Sequence, residues 1–148
     1  LPHIVDLTVI RRTAPQHGQE INKNYRDQLE IKTPNWKQTV GNLSGGNQQK
    51  IVIGKWLSMH PNLLIVDEPT RGIDVGSKSE IHNLIRELAG QGYAIIVISS
   101  EMPEILSVSD KIVAMFHGEI VHTFTSSNVT EDKLVQAISG IYEPENAA

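Results

Sequence analysis

Two short segments combine residue types that can handle a phosphate ester. The first is the run Leu43-Ser44-Gly45-Gly46-Asn47-Gln48-Gln49, which leads directly into a helix with an apolar stripe. Glycines let the backbone come close to a phosphate, and the exposed N–H groups and dipole of a helix start favour negative charge. The hydroxyl of Ser44 adds a further donor. Taken alone, this segment favours a plainer interpretation, in which Ser44 caps the helix and the glycines form a bend.

The second segment is a pair of adjacent carboxylates that follows an apolar run. Residues 63–66 predict a buried strand, and Asp67, Glu68 and Pro69 come directly after it. Parallel strands present ligands at their carboxyl ends. There Asp67 can hold Mg²⁺ through water, and Glu68 can orient and activate a water for attack on a γ-phosphate. A solvated acidic turn made rigid by Pro69 is an equally good interpretation of this segment alone.

Helical patterns surround the first segment. Ile21, Tyr25 and Leu29 recur at a spacing of four and predict a helix that Thr33-Pro34 ends. A second helix is predicted after the glycines, with an apolar stripe that stops before His60-Pro61.

Strand and helix patterns alternate around the second segment. Ser77 and Glu80 fit a capping box at the start of a helix, and Gly90 is its expected terminator. Residues 93–98 are rich in β-branched side chains and predict a second buried strand parallel to the first. Strand, helix and strand then form a right-handed βαβ unit, so the fold class is α/β.

The C-terminal part predicts a hairpin followed by a helix. Residues 111–116 and 119–124 flank His117-Gly118, a pair typical of a tight turn. Residues 130–139 form the last predicted helix, which Gly140 ends.

Composition fits one globular domain and excludes several classes. The chain has 148 residues, a formal net charge of −4 and no cysteine. An acidic balance argues against general affinity for nucleic acid or anionic membranes, and the absence of cysteine excludes disulfides and thiolate metal sites. The six histidines are scattered without the spacing of a metal site, so we expect no metal cluster.

The two segments become far more specific when they are considered in order with their neighbours. LSGGNQQK, LLIVDEPT and GID at Gly72, Ile73 and Asp74 resemble the signature, Walker B and D-loop of ATP-binding cassette (ABC) ATPases. Residues 97–101 fall where these ATPases carry a switch residue, usually His, and the position holds Ser100. The residues within these motifs are similar to those of the second cassette in bacterial double-cassette ATPases that power ribose, galactoside and xylose importers. The resemblance extends from about residue 20 to the C-terminus.

The resemblance implies a partial P-loop NTPase fold with a parallel sheet core, a C-terminal β-hairpin and part of the helical subdomain. Residues 1–148 would be the C-terminal fragment of one nucleotide-binding domain. About 1–60 would be the helical subdomain with the signature helix, and about 61–148 the core. The phosphate-wrapping pattern Gly-x-x-x-x-Gly-Lys-Ser/Thr, called Walker A, does not occur in the chain, which also suggests a fragment.

The resemblance also implies ATP and Mg²⁺ as ligands. In this family ATP lies between the Walker A loop of one cassette and the signature of its partner, so the signature would complete the site of a second cassette. The acidic pair and the switch residue would serve the chain's own site. The residues carried over are Ser44, Gly45, Gly46, Asn47 and Asp74 for nucleotide binding, Asp67 for Mg²⁺, and Glu68 and Ser100 for catalysis. Because a hydroxyl is no imidazole acid or base near pH 7, Ser100 suggests that the own site contributes little hydrolysis.

The partners that the resemblance implies are a second cassette, membrane permease subunits and, indirectly, a periplasmic sugar-binding protein. The location would be peripheral, at the cytoplasmic face of the bacterial inner membrane, without nucleic acid. Two alternatives stay open. A non-transport ABC ATPase of DNA repair or chromosome structure would carry long heptads before the signature, which residues 1–40 lack. The chain by itself could also be an inactive fragment with a docking role.

Overall fold

A computed structural model describes residues 23–35 and 38–142, which divide into one unit that ends at His60 and another that begins at Pro61. The predicted helix position Ile21 lies outside the described residues. Residues 23–28 are helical, and the chain leaves this helix at Glu30, whose φ of 50° is left-handed. The helix therefore ends earlier than Thr33-Pro34, because the left-handed turn lets Ile31 N–H bond back to the Arg26 carbonyl.

Helix α1 (Gly45–Leu57) is the main element of the first unit. It ends before His60-Pro61, as predicted. The Tyr25 hydroxyl donates to the Leu57 carbonyl at 2.9 Å. A Cβ at Gly54 would lie 2.8 Å from Leu29 Cδ1, so a larger residue there would have to displace the buried Leu29 side chain. The residues that α1 buries recur at helical spacing, and they are Gly46, Lys50, Ile53, Gly54 and Leu57.

The second unit begins with strand β1 (Leu63–Asp67), helix α2 (Val75–Gly90) and strand β2 (Ala94–Ile98). The strands pair in parallel, with Leu63 opposite Ala94 and Asp67 opposite Ile98. This confirms the predicted strand, helix and strand order and the parallel pairing. Helix α2 buries one apolar face, which consists of Ile81, Leu84, Ile85 and Leu88.

The ends of α2 differ from the predicted ones. Its N-cap is Asp74, whose side chain accepts from Ser77 N–H, so the capping box of Ser77 and Glu80 is wrong. A carboxylate three residues earlier takes the position because it reaches the same free N–H groups. Gly90 is still helical, and the terminator is Gly92 with φ 98°.

The rest of the second unit consists of helix α3 (Met102–Val108), strands β3 (Lys111–Phe116) and β4 (Glu119–Thr125), and helix α4 (Glu131–Ile138). The strands form the predicted hairpin, and His117 and Gly118 both have positive φ, as a two-residue turn requires. Helix α4 ends at the left-handed Gly140, as predicted. The core of this part is a single apolar cluster of Ile112, Ala114, Phe124, Val129, Leu134 and Ala137.

The β1–β2 pair has one buried and one open side. Side chains alternate along a strand, so Leu64 is buried while Leu63 and Ile65 are exposed. Ile96 lies opposite Ile65 in the register, and both Ile96 and Ile98 are exposed as well. We call Leu63, Ile65, Ile96 and Ile98 the open sheet face. Among the described residues, no helix has the length and apolar character needed to cross a bilayer.

Candidate functional site

The carboxyl ends of β1 and β2 lie side by side because the strands are parallel. Glu68 N–H donates to the Ile98 carbonyl at 2.8 Å, which continues the strand pairing one residue beyond β1. The predicted acidic pair and the predicted switch position therefore meet at one edge. We call these residues, 67–74 and 98–101, the carboxyl edge.

Glu68 is the most constrained residue of the carboxyl edge. Its φ of 47° is left-handed, a conformation that costs a residue with a Cβ about 1–2 kcal/mol. Its Oε1 accepts a hydrogen bond from Ser100 N–H at 3.0 Å, and its carbonyl accepts from Arg71 N–H at 3.1 Å. The Arg71 contact thus stabilises the turn, and the Ser100 contact holds the carboxylate. One oxygen of the carboxylate accepts from the protein, and no contact is made by the other within the described residues.

Ser100 reaches Glu68 through its backbone and not through its hydroxyl. The bond to Glu68 uses the Ser100 N–H, and the side chain is exposed. The neighbouring Ser99 hydroxyl accepts from Glu101 N–H at 3.0 Å, which fixes the turn that leads into α3. The structure therefore brings together both residues that were predicted to be catalytic, by a contact that any residue other than proline could make.

Asp67 ends β1 with an exposed carboxylate. No hydrogen bond or ion pair engages this side chain within residues 23–35 and 38–142. Carboxylate oxygen is the ligand type that Mg²⁺ prefers. The carboxylate is therefore free for the cation role that the sequence suggested.

Thr70 is a residue of this edge that the sequence analysis did not single out. It is fully buried, and its hydroxyl has no hydrogen-bond partner in the described part of the chain. Its carbonyl accepts from Ile73 N–H at 3.4 Å within the loop that leads to Asp74. Threonine after a proline is ordinary turn sequence, so nothing in the pattern indicated burial.

Asp74 is tied to its own helix. One carboxylate oxygen accepts from Ser77 N–H at 2.9 Å and the other from the Ser77 hydroxyl at 2.8 Å. The bond from Ser77 N–H, and next the bond from its hydroxyl, hold the pKa of Asp74 below its usual value of 3.8. Asp74 is thus an ionised helix cap, and both of its oxygens are occupied.

The start of α1, residues 43–48, carries the glycines of the first segment. Ser44 occupies the N-cap position, yet its side chain does not accept from the helix's own N–H groups. Instead Ser44 Oγ accepts from Asn47 Nδ2 at 2.8 Å, which leaves the hydroxyl proton available to a ligand. Ser44 is thus the N-cap residue, as the plain interpretation expected, but its side chain makes no bond to the helix backbone.

Asn47 holds Ser44 in place. Its Oδ1 accepts from Lys32 N–H at 2.8 Å, while its Nδ2 donates to Ser44. Both ends of the amide are thus used within the first unit. Gln48 Nε2 donates to the Leu43 carbonyl at 2.8 Å and secures the other side of the bend.

The sequence analysis also missed a set of polar contacts between α2 and α3. Lys78 bonds Glu101, and His82 contacts Glu104. The partners are more than 20 residues apart in the chain, so only the spacing of polar residues on two helix faces could have indicated them. No cluster of three or more His, Asp or Glu side chains suited to a metal ion occurs in the described residues.

Comparison with known proteins identifies similar chains. A family profile described as "ABC transporter" matches residues 6–71. The chain is 54% identical over 114 residues to the xylose import ATP-binding protein XylG of Moorella thermoacetica, covering 77% of this chain and 23% of that protein. It is 45% identical over 122 residues to the ribose import ATP-binding protein RbsA of Roseobacter denitrificans, covering 82% and 24%.

A third relative is a putative ribose/galactose/methyl galactoside import ATP-binding protein of Rhizobium etli, 56% identical over 112 residues and covering 76% of this chain and 21% of that protein. The chain thus spans about a quarter of the length of the curated relatives it matches. Among solved structures, an ATP-binding cassette of an ABC transporter superposes with a TM-score of 0.75 at 23% identity, covering 90% of this chain and 54% of that one. This likeness shows the fold.

Proposed function

The chain belongs to the ATP-binding cassette family, and on this premise we propose that it is part of the ATPase subunit of a bacterial importer of monosaccharides. The relatives that support the substrate class are import proteins for xylose, ribose and galactosides. We assign the unit that ends at His60 to the helical subdomain with the signature helix, and the unit from Pro61 to the core. The division of the chain between these residues supports that assignment.

The observation that carries the proposed activity is the contact between Glu68 and Ser100. A general base must be held within reach of a water, and the Ser100 N–H fixes one oxygen of Glu68 while the other stays available. We infer that Glu68 orients the water that attacks the γ-phosphate of ATP.

Asp67 is the residue that we assign to Mg²⁺. Its exposed carboxylate is free of protein partners within the described residues and matches the hard oxygen ligands that this cation takes. Mg²⁺, when bound, neutralises charge on the phosphate oxygens during transfer. Asp67 and Glu68 are adjacent in the chain, so neighbouring residues carry cation binding and water activation.

The start of α1 serves a different site in this proposal. Ser44, Gly45 and Gly46 present donors and no carboxylate, which suits a γ-phosphate held by the Walker A loop of a second cassette. Asn47 contributes by orienting Ser44, because both ends of its side-chain amide are already bonded. Asp74 contributes as the cap that fixes the start of α2.

The two sites of such a pair would be unequal. The switch position carries Ser100, whose hydroxyl cannot act as the imidazole of the usual residue does. We therefore infer that the chain's own site contributes little hydrolysis, and that its signature supports hydrolysis in the second cassette.

The whole protein would act with a second cassette, a membrane permease and a periplasmic sugar-binding protein, at the cytoplasmic face of the inner membrane. The named import relatives support these partners. They give no support to a DNA-repair or chromosome role. The chain by itself lacks the Walker A loop and its lysine, so we expect it to bind ATP weakly and not to turn it over.

An uptake measurement tests this proposal. Sealed vesicles that contain the full-length protein with its permease, with the ATPase facing the lumen, should accumulate a pentose or galactoside when the sugar-binding protein is added outside and ATP and Mg²⁺ are enclosed. Hydrolysis stimulated by DNA, without sugar uptake, would contradict the transport assignment. Calorimetry on residues 1–148 addresses the fragment, and micromolar affinity for ATP would contradict its inactivity.

A further inference from the structure

Helices α2 and α3 are joined by two polar pairs that the proposed function does not use. Lys78 Nζ lies 2.6 Å from both carboxylate oxygens of Glu101. One turn further along α2, His82 Nε2 lies 2.9 Å from Glu104 Oε1. The partners on α2 are four residues apart and those on the α3 side are three apart, so each set lies on one helix face. We call these four residues the α2–α3 clasp.

In the inner pair of the clasp, Glu104 is buried and His82 is partly buried. Glu104 is 3% exposed, and the side chain of His82 is 16% exposed. Glu104 Oε2 has no hydrogen-bond partner in the part of the chain that the structure describes. A buried carboxyl group is unfavourable unless it is hydrogen-bonded, so His82 provides the contact that makes Glu104 tolerable at this position. An apolar residue would pack there more simply, which indicates that the contact does more than fill the core.

The outer pair of the clasp adjoins the carboxyl edge. Glu101 is the N-cap residue of α3 and follows Ser100 directly. Ser100 N–H is the donor that holds Glu68 Oε1. A shift of Glu101 away from Lys78 would therefore move the peptide group that carries this donor. Exposed ion pairs contribute little to stability, so the value of the Lys78 contact lies in its geometry.

We propose that Lys78 and His82 are positioning residues for Glu68. By holding Glu101 and Glu104 against α2, they keep the Ser100 N–H directed at the Glu68 carboxylate. The importance of that carboxylate in ATP hydrolysis rests on the proposed function, whereas the positioning itself is a property of the fold.

Hydrogen–deuterium exchange in the full-length protein tests the positioning directly. In Lys78→Met and in Glu104→Leu, exchange of the backbone at residues 99–101 should rise about fivefold, the effect of losing one ordinary hydrogen bond. Exchange in the β3–β4 hairpin should stay the same. Glu104→Gln keeps an acceptor for His82 and should restore the parent rate. Arg86→Gln is the matched control, because Arg86 lies on α2 and bonds only Asn83 among the described contacts.

ATPase kinetics in the same variants separate positioning from plain stability. Lys78→Met should lower kcat by no more than the modest fall expected for Glu68→Gln and leave KM for ATP unchanged, and it should cause no further loss in a Glu68→Gln background. Any of three results would overturn the positioning role. The losses in the double variant are additive, exchange in the hairpin changes as much as at residues 99–101, or Glu104→Gln does not keep the parent exchange rate. If the full-length parent shows no ATPase, the proposed function fails, and the exchange experiment still decides the positioning.

Discussion

The start of α1 and the carboxyl edge both suit phosphate chemistry, but one offers hydrogen-bond donors and the other offers acceptors. The start of α1 presents N–H groups and the hydroxyl of Ser44, all of them donors. The carboxyl edge presents Asp67 and Glu68, which are acceptors. A donor set can bind an anion but cannot activate water, whereas a carboxylate can activate water but repels an anion unless a cation intervenes. Each region therefore needs a partner that supplies the other half.

The two regions also differ in how they are held. Ser44 is fixed by a relay of hydrogen bonds from Lys32 N–H through the Asn47 side chain. Glu68 is fixed by a left-handed backbone and by the Ser100 N–H. The Ser44 hydroxyl is thus held directly by a side chain that substitution can remove, and the Glu68 carboxylate is held directly by a backbone group. Substitutions at four positions test this contrast.

The largest effect is expected at the start of α1. Gly46 is buried in its first turn, so a Trp side chain has no room there and would displace the N–H groups that a phosphate approaches. We expect the ATPase rate of the full-length protein to fall by at least about 10²-fold, as when a preorganised anion donor is lost. Gly41→Trp is the control, because a Cβ at Gly41 has nothing within 4 Å. Normal transport in Gly46→Trp would refute the donor role.

The next effect concerns the base. Glu68→Gln keeps an acceptor for Ser100 N–H but removes the charge that activates water. A general base typically contributes about 10²–10⁴-fold. We expect a modest fall in steady-state ATPase for this chain and the full loss for the equivalent change in the second cassette. If Glu68→Gln instead loses the full factor, with the circular dichroism spectrum unchanged, the two sites contribute comparably to hydrolysis.

A smaller effect separates backbone from side chain at the switch position. Ser100→Ala keeps the N–H that bonds Glu68, so ATPase should stay within about twofold of the parent, as for ordinary surface substitutions. Ser100→Pro removes that N–H and should match the loss seen in Glu68→Gln. If Ser100→Ala is as damaging as Ser100→Pro, the hydroxyl has a role that the contact to Glu68 does not explain.

The smallest effect is a change of stability with pH at Asp74. Its pKa is lowered in the folded chain, so the ionised form stabilises the fold above the unfolded value and the contribution disappears as pH falls through the lowered pKa. Asp74→Asn still caps the helix but carries no charge. Its Tm should lie below that of the parent at pH 7, and the difference should vanish well below pH 3.8. A difference in Tm that persists unchanged well below pH 3.8 would contradict the charged cap.

The order of elements could be predicted because it depends on local patterns. Apolar runs predicted both parallel strands, and His117-Gly118 predicted the hairpin turn. The start of α2 could not be predicted correctly, because Asp74 and Ser77 both suit an N-cap and only the backbone conformation chooses between them.

The sequence predicted that Glu68 and Ser100 would serve the same site, but it did not predict the contact that joins them. Glu68 and Ser100 were paired in advance, yet the atom that joins them is a backbone N–H, which every residue except proline possesses. The burial of Thr70 and the α2–α3 clasp depend on packing between distant segments. No local spacing encodes such contacts.

The open sheet face has a consequence for how this chain behaves in different solvents. Apolar association weakens on cooling and strengthens with excluded salts such as sulfate, whereas attraction between charges weakens in salt. If molecules of this chain meet through Leu63, Ile65, Ile96 and Ile98, light scattering should therefore increase with warming and with added sulfate and decrease in dilute urea. An Ile65→Lys substitution, in the middle of the face, should reduce that temperature dependence.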